Sequence, residues 1–158
     1  MRKLLSNGLV MFAGIVSVPG LALSPAQSMT AEYHNDPRLE TLQKFFQASN
    51  CPAEEFSEQF LRSADEHNLD WRLLPSISVV ESGGGREAPN NNMFGWDGGR
   101  ATFPSISAGI EGVASRLENS KLYRNKDLDH LLYTYNPVQN YPSRVKAVMR
   151  RIWPSEEI

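Results

Sequence analysis

An apolar run that ends in an acid followed by three glycines constrains the fold of this chain most. Residues 73–80 carry apolar side chains at helical spacing and lead directly into Glu81 and Ser82. At 100° per residue, Glu81 lies about 40° from Ile77 and about 20° from Leu74 around the helix axis, so the acid shares the apolar face. The pattern predicts a helix packed into the core, with a half-buried acid at its C-terminal end.

The position of Glu81 makes it a candidate catalytic acid. Burial disfavours the charged form of a carboxyl, and the three glycines let the backbone turn sharply and leave space beside it. A carboxyl of this kind beside a cleft serves as the general acid of many glycosidases. The alternative is an exposed acid at a frayed helix end, which the helix dipole disfavours.

The first 26 residues have the pattern of a secretory signal peptide. A cationic start, Met1-Arg2-Lys3, precedes an apolar stretch from Leu4 to Leu23, and small residues stand before a cleavage site after Ala26. An uncleaved membrane anchor is the alternative, but three glycines and a proline make the stretch a poor spanning helix. We therefore expect an exported protein, periplasmic or extracellular, that is free of the membrane after cleavage.

The rest of the chain divides into a polar linker, residues 27–36, and one domain, residues 37–155. Cys51 is the single cysteine, so packing without an internal disulfide must stabilise the domain. Loss of Arg2 and Lys3 with the signal moves the formal net charge from −2 to −4. A mildly acidic chain without a basic block argues against a nucleic-acid partner, and we expect a monomer.

Hydrophobic periodicity predicts a mainly α domain of the α+β class. The predicted helices are residues 37–49, residues 53–67, a helix capped by Asp70 that carries Glu81, a helix that opens at Ser105 or Ser107, residues 128–133 and residues 142–153. Two short aromatic-bearing runs flank Asp97-Gly98-Gly99, which predicts a small β-hairpin beside the Glu81 cleft.

Amide and aromatic side chains near Glu81 are candidate glycan contacts. Asn91 and Asn92 carry amides that match sugar hydroxyl and N-acetyl groups, and the rings of Phe94 and Trp96 can stack on sugars. The alternative is that the asparagines form a turn and the aromatics seal the core. Phe94 fits the core better than Trp96 does.

A tyrosine-rich segment supplies two further candidates, Tyr135 and Tyr141. A phenol that faces a cleft can orient a reacting sugar, although packing is the alternative for both. A second catalytic carboxylate is not evident, because Asp97 lies in a Gly-rich turn and Glu111 lies on a polar helix side. One acid suffices where the 2-acetamido group of the substrate attacks the anomeric carbon. The three histidines lack paired ligand spacing, so neither a metal nor a cofactor is expected.

The order of these motifs resembles the bacterial glucosaminidase family of the lysozyme-like superfamily. The matching segments are Asp70 to Pro75, Val80 to Gly85, Asn91-Asn92-Met93-Phe94-Gly95-Trp96 and, near the end, Thr134 to Pro137 with Asn140 to Val145. The last segments are also similar to the Tyr-Asn motif of lytic transglycosylases. The resemblance covers roughly residues 56–153.

The resemblance implies a lysozyme-like helical fold that acts on β-1,4-linked N-acetylglucosamine polymers, chiefly peptidoglycan. By position, Glu81 matches the catalytic acid, Tyr135 the cleft tyrosine, and the segment from Asn91 to Gly95 the wall of the cleft. Many members carry a further acid that this chain lacks, which leaves the nucleophile unassigned. A non-catalytic glycan-binding module on the same scaffold is the alternative, and muramidase or transglycosylase chemistry stays open.

Overall fold

The computed structural model describes residues 33–154, so the predicted signal peptide and most of the predicted linker lie outside the described residues. Six α-helices account for most of this range. They are α1 Pro37–Ala48, α2 Ser57–Glu66, α3 Leu73–Ser82, α4 Ile106–Asn119, α5 Leu128–Tyr135 and α6 Tyr141–Ile152. Two short 3-10 segments, Pro52–Phe56 and Pro89–Asn91, connect them. The predicted mainly helical class is confirmed.

Side-chain caps determine where several helices begin. The Asp36 carboxylate accepts a hydrogen bond from the Arg38 backbone N–H at 2.8 Å, with Pro37 at the first turn of α1. The Ser105 hydroxyl accepts from the Ala108 N–H at 3.1 Å, so Ser105 rather than Ser107 opens α4. Asp127 caps α5 through the His130 N–H at 2.9 Å. These are short polar side chains of the type that sequence analysis uses to locate helix starts.

Three predicted helices differ from the observed ones. Asp70 is predicted to cap α3, but Arg72 is at the N-cap position without a side-chain cap, and the Asp70 carboxylate accepts from the Arg72 N–H at 2.9 Å, just before the helix begins. The predicted helix over residues 53–67 is divided into a 3-10 turn and α2, and the Ala53 N–H donates to the Gly84 carbonyl at 3.0 Å. Helix α5 continues to Tyr135 instead of ending at residue 133. It ends there because Asn136 precedes a proline and adopts an extended conformation, φ −144° and ψ 111°.

Helix α3 lies at the centre of the core. Its first six residues are all buried, and it packs along α6, while α2 packs along α4. Leu74 and Ile77, predicted to share a face with Glu81, are fully buried. The helix ends at Ser82, and Gly83 follows in the left-handed conformation. Glu81 is therefore held on the last turn of the most buried helix, which fixes its position.

The predicted β-hairpin is not found, since residues 33–154 contain no strand. Residues around Asp97 form successive turns, with the Gly99 N–H donating to the carbonyls of Gly95 and Trp96. The Asn92 side chain bonds the backbone groups that a strand ladder would use, accepting from the Trp96 N–H at 2.9 Å and donating to the carbonyls of Trp96 and Ala101 at 3.0 and 3.1 Å. The Asn92 side chain thus makes hydrogen bonds that a neighbouring strand would make in a hairpin.

No helix within residues 33–154 has the length and apolar character that crossing a bilayer requires. The segment that raised the alternative of a membrane anchor, residues 4–23, lies outside the described residues.

Candidate active site

Glu81 is half-buried, and the backbone of Gly95 packs directly against its carboxyl group. A Cβ atom built on Gly95 would stand 2.6 Å from Glu81 Oε2, which is closer than real contacts allow. Gly95 also has a φ of +59°, in the left-handed region that favours glycine. Both the conformation and the close approach therefore require glycine at this position.

Three side chains fix the loop that brings Gly95 to Glu81. The Ser82 hydroxyl lies 2.7 Å from the Met93 carbonyl, to which it donates. The Tyr135 hydroxyl donates to the Phe94 carbonyl at 2.6 Å. The Asn92 side chain accepts from the Trp96 N–H and donates to the Trp96 carbonyl. The loop is held at three successive points, so the surroundings of the Glu81 carboxyl are rigid before any ligand arrives.

An aromatic pocket of about 360 Å³ opens beside Gly95. It is lined by Gly95, Trp96, Asp97, Gly98, Tyr123 and Tyr135. The Trp96 ring meets the Tyr135 ring edge-on at a centroid distance of 5.5 Å and lies 5.9 Å from the Tyr123 ring. The volume lies in the range of small-molecule sites, and aromatic faces of this kind stack on the apolar faces of sugar rings.

The phenols of Tyr135 and Tyr141 both lie close to the Glu81 carboxyl. Burial is the main cause that raises the pKa of each phenol, and the nearby Glu81 charge raises it further. The two rings are stacked, with 7° between their planes and 6.0 Å between centroids. Both hydroxyls therefore stay protonated; the Tyr135 hydroxyl donates its hydrogen bond to the Phe94 carbonyl, and the Tyr141 hydroxyl is the donor that lies beside the acid.

Tyr141 is almost completely buried, at 1% exposure, so it cannot contact a glycan as predicted without moving. Its hydroxyl is enclosed and lies against the Glu81 carboxyl, and a hydrogen bond to Glu81 is among the causes that raise its pKa. Tyr141 therefore stacks on Tyr135 and contacts the acid from inside the core.

Of the other predicted glycan contacts, the structure brings only Trp96 to the pocket surface. Phe94 is fully buried and Asn92 is 3% exposed, with both ends of its amide hydrogen-bonded inside the chain. The partly exposed Asn91 donates to the Phe103 carbonyl at 2.9 Å. The asparagines shape the loop, and Phe94 belongs to the core, so the alternative roles weighed for these residues fit the geometry better.

Two residues near the pocket were not singled out from the sequence. Tyr123 lies in a polar segment after α4 and packs against Trp96. The sequence around Tyr123 gives no pattern that predicts this contact. The guanidinium of Arg116 lies over the Trp96 ring at 5.6 Å. The spacing of four residues places Arg116 and Gly112 on one face of α4 but does not indicate the contact with Trp96.

The remaining acids considered from the sequence have other partners. Asp97 lines the pocket but pairs with Arg100 at 2.7 Å, which holds the pKa of its carboxyl below the usual value. Glu111 bonds His67 at 2.6 Å on the other side of α4. Within residues 33–154, no group of three or more potential ligand side chains is arranged to hold a metal ion.

Comparison of the chain with protein families, with curated proteins and with solved structures gives no match. The function is therefore inferred from the residues and their geometry.

Proposed function

We propose that this protein is an exported glycoside hydrolase that cleaves β-1,4 bonds of N-acetylglucosamine-containing polymers, most of all peptidoglycan. The observation that carries the proposal is the placement of Glu81. Its carboxyl is fixed at the end of the central helix, against the bare backbone of Gly95, and Gly95 in turn lines the aromatic pocket. The order of sequence motifs that resembles the bacterial glucosaminidases supports the same conclusion.

In the proposed reaction, Glu81 donates its proton to the glycosidic oxygen of the leaving sugar while the bond to the anomeric carbon breaks. The acetamido oxygen on the sugar that contains this anomeric carbon bonds to the carbon, and water then adds to it, opens the cyclic intermediate and returns a proton to Glu81. If the 6-hydroxyl of a muramic acid attacks the anomeric carbon instead, its proton passes to Glu81 and an anhydro sugar results. Either route uses one protein carboxylate, which suits a pocket where Asp97 is bound to Arg100.

Aromatic side chains would hold the glycan beside the acid. Trp96 presents its ring at the pocket, the buried Tyr123 lines the pocket behind it, and Tyr135 extends from the pocket toward Glu81. Since the Tyr135 hydroxyl already donates to the Phe94 carbonyl, its first contribution is to keep the loop in place. Export follows from the signal-like pattern of residues 1–26.

The test is digestion of purified peptidoglycan by the full chain and by Glu81→Gln, with mass spectrometry of the products. Glutamine is nearly isosteric, so the variant should keep the fold and lose activity by several orders of magnitude, because its amide cannot act as an acid. Reducing N-acetylglucosamine ends would identify a glucosaminidase, reducing muramic acid ends a muramidase, and anhydromuramic acid ends a transglycosylase.

Fragments produced equally by both proteins would end the assignment of Glu81. Tight binding of glycan without fragments from either protein would favour the alternative, a glycan-binding module that keeps the pocket without turnover.

A further inference from the structure

The guanidinium of Arg116 lies beside the aromatic pocket, in a slot formed by the Trp96 ring, the Phe103 ring and the Gly112 carbonyl. The guanidinium carbon lies 5.6 Å from the centroid of the Trp96 ring and 6.0 Å from that of the Phe103 ring. One terminal nitrogen donates to the Gly112 carbonyl at 2.8 Å. A Cβ atom at Gly112 would stand 3.0 Å from that nitrogen and 3.5 Å from the Phe103 ring, so a side chain there would push the guanidinium aside.

The walls of this slot are themselves fixed. The Phe103 carbonyl accepts a hydrogen bond from the Asn91 amide, and the Trp96 backbone is bonded on both sides by Asn92. A guanidinium that lies over two fixed rings and is bonded to a helix carbonyl loses less freedom on binding a ligand than an untethered one does. The arrangement is therefore prepared in advance of binding.

The guanidinium of Arg116 has no acidic partner among residues 33–154, and the side chain is exposed. Arg38, Arg72 and Arg100, by contrast, each form an ion pair with an aspartate, and within this range Arg116 shares its lack of an ion pair with other exposed arginines such as Arg124. A guanidinium has five N–H donors, and only one of them is bonded to the Gly112 carbonyl, so others remain available to a ligand. The fork of donors on a guanidinium matches a carboxylate in a two-point hydrogen bond.

We propose that Arg116 binds a carboxylate carried by the glycan and thereby selects acidic peptidoglycan over neutral chitin. This inference rests on the proposed function. Trp96 lines the pocket while Arg116 lies over its ring, so a sugar bound at Trp96 presents its substituents near the guanidinium. Peptidoglycan carries carboxylates on the lactyl ether of muramic acid and on its stem peptide, whereas chitin carries none.

The test measures binding by calorimetry to the full chain carrying Glu81→Gln, so that no ligand is consumed. The probes are chitotetraose, a peptide-free tetrasaccharide of alternating N-acetylglucosamine and N-acetylmuramic acid, the same tetrasaccharide with its lactyl groups amidated, and one carrying stem peptides. We expect the acidic glycans to bind about tenfold more tightly than chitotetraose, and salt to reduce that preference. A preference for the peptide-free acid over its amide would identify the lactyl carboxylate, and a preference confined to the last probe would identify the peptide.

Arg116→Met in this background removes the charge but keeps an apolar stem over Trp96. It should abolish the preference and change chitotetraose affinity by less than about twofold. Arg124→Met removes an exposed arginine from the segment after Tyr123 and should retain the preference. The NMR signal of the Trp96 indole N–H reports whether the ring keeps its position.

Equal weakening of all four ligands by Arg116→Met, with a displaced Trp96 signal, would show that Arg116 only supports the ring and would overturn the inference. So would equal affinity of the parent for acidic and neutral glycans, or an equal effect of Arg124→Met. These results leave the proposed function standing, whereas failure of every glycan to bind the parent would overturn both.

Discussion

The contact between Gly95 and Glu81 is the most restrictive feature at the scale of single residues. Gly95→Ala should destabilise the fold by about 1–3 kcal/mol, because alanine is strained at φ +59° and its Cβ would collide with the carboxyl. It should also displace Glu81 and abolish glycan cleavage. Thermal denaturation together with product analysis measures both effects.

Gly99→Ala is the matched control for Gly95. Its φ is +82°, also in the left-handed region, but a Cβ there would meet no atom within 4 Å. It should lose stability through backbone strain and keep cleavage activity. If both variants kept activity equally, the close approach to Glu81 would have no bearing on catalysis.

Tyr135 joins the pocket to the backbone of the Gly95 loop through its hydroxyl. Tyr135→Phe removes the 2.6 Å hydrogen bond to the Phe94 carbonyl, so we expect a loss of about 1 kcal/mol in stability and a lower cleavage rate. Tyr133→Phe is the comparison, because the Tyr133 ring is 56% exposed on the same helix and its hydroxyl makes no hydrogen bond within residues 33–154. A large fall in melting temperature for Tyr135→Phe with an unchanged rate would make its role structural only.

At the scale of elements, the buried Asn92 amide makes the most hydrogen bonds of the side chains that hold the loop after the second 3-10 segment. Asn92→Ala would remove the partner of the Trp96 N–H and of the Ala101 carbonyl, whereas the Trp96 carbonyl would still accept from the Gly99 N–H. We expect a loss of about 2–3 kcal/mol in stability. The Trp96 indole signal should broaden as the loop becomes mobile. Asn90→Gly serves as control, because Asn90 is exposed and glycine tolerates its φ of +58°. A sharp Trp96 signal in Asn92→Ala would show that the loop does not depend on this amide.

The turns of this loop could be predicted from the sequence, but the hydrogen bonds that hold the loop in place could not. Helices are predicted well where period and caps agree, as at Asp36 and Ser105, because both signals are local. Asp97-Gly98-Gly99 does form turns, but the sequence does not show that the Asn92 amide takes the place of a strand partner. Tyr123 reaches the pocket, and Arg116 reaches the Trp96 ring, only through tertiary packing, which produces no periodic pattern in the sequence.

At the scale of the whole molecule, His67 joins α2 to α4. Its ring lies 2.6 Å from a Glu111 oxygen and 2.7 Å from a Glu118 oxygen, and the Ser63 hydroxyl donates to Glu111 at 2.8 Å. Burial acts to lower the pKa of His67, but the hydrogen bonds to the two carboxylates outweigh it and raise the pKa above 6.5. The folded state therefore favours the protonated ring.

The sign of the resulting pH dependence follows from that raised pKa. The protonated ring stabilises the fold fully below the unfolded value of 6.5, and this contribution is lost as pH rises through the folded pKa. The melting temperature of the parent should thus fall more between about pH 6 and about pH 8.5 than that of His67→Gln. His130→Gln, which alters an exposed histidine paired with Asp127, should follow the parent. Parallel curves for the parent and His67→Gln would mean that the packing of α2 on α4 holds these helices together without help from the ion pairs.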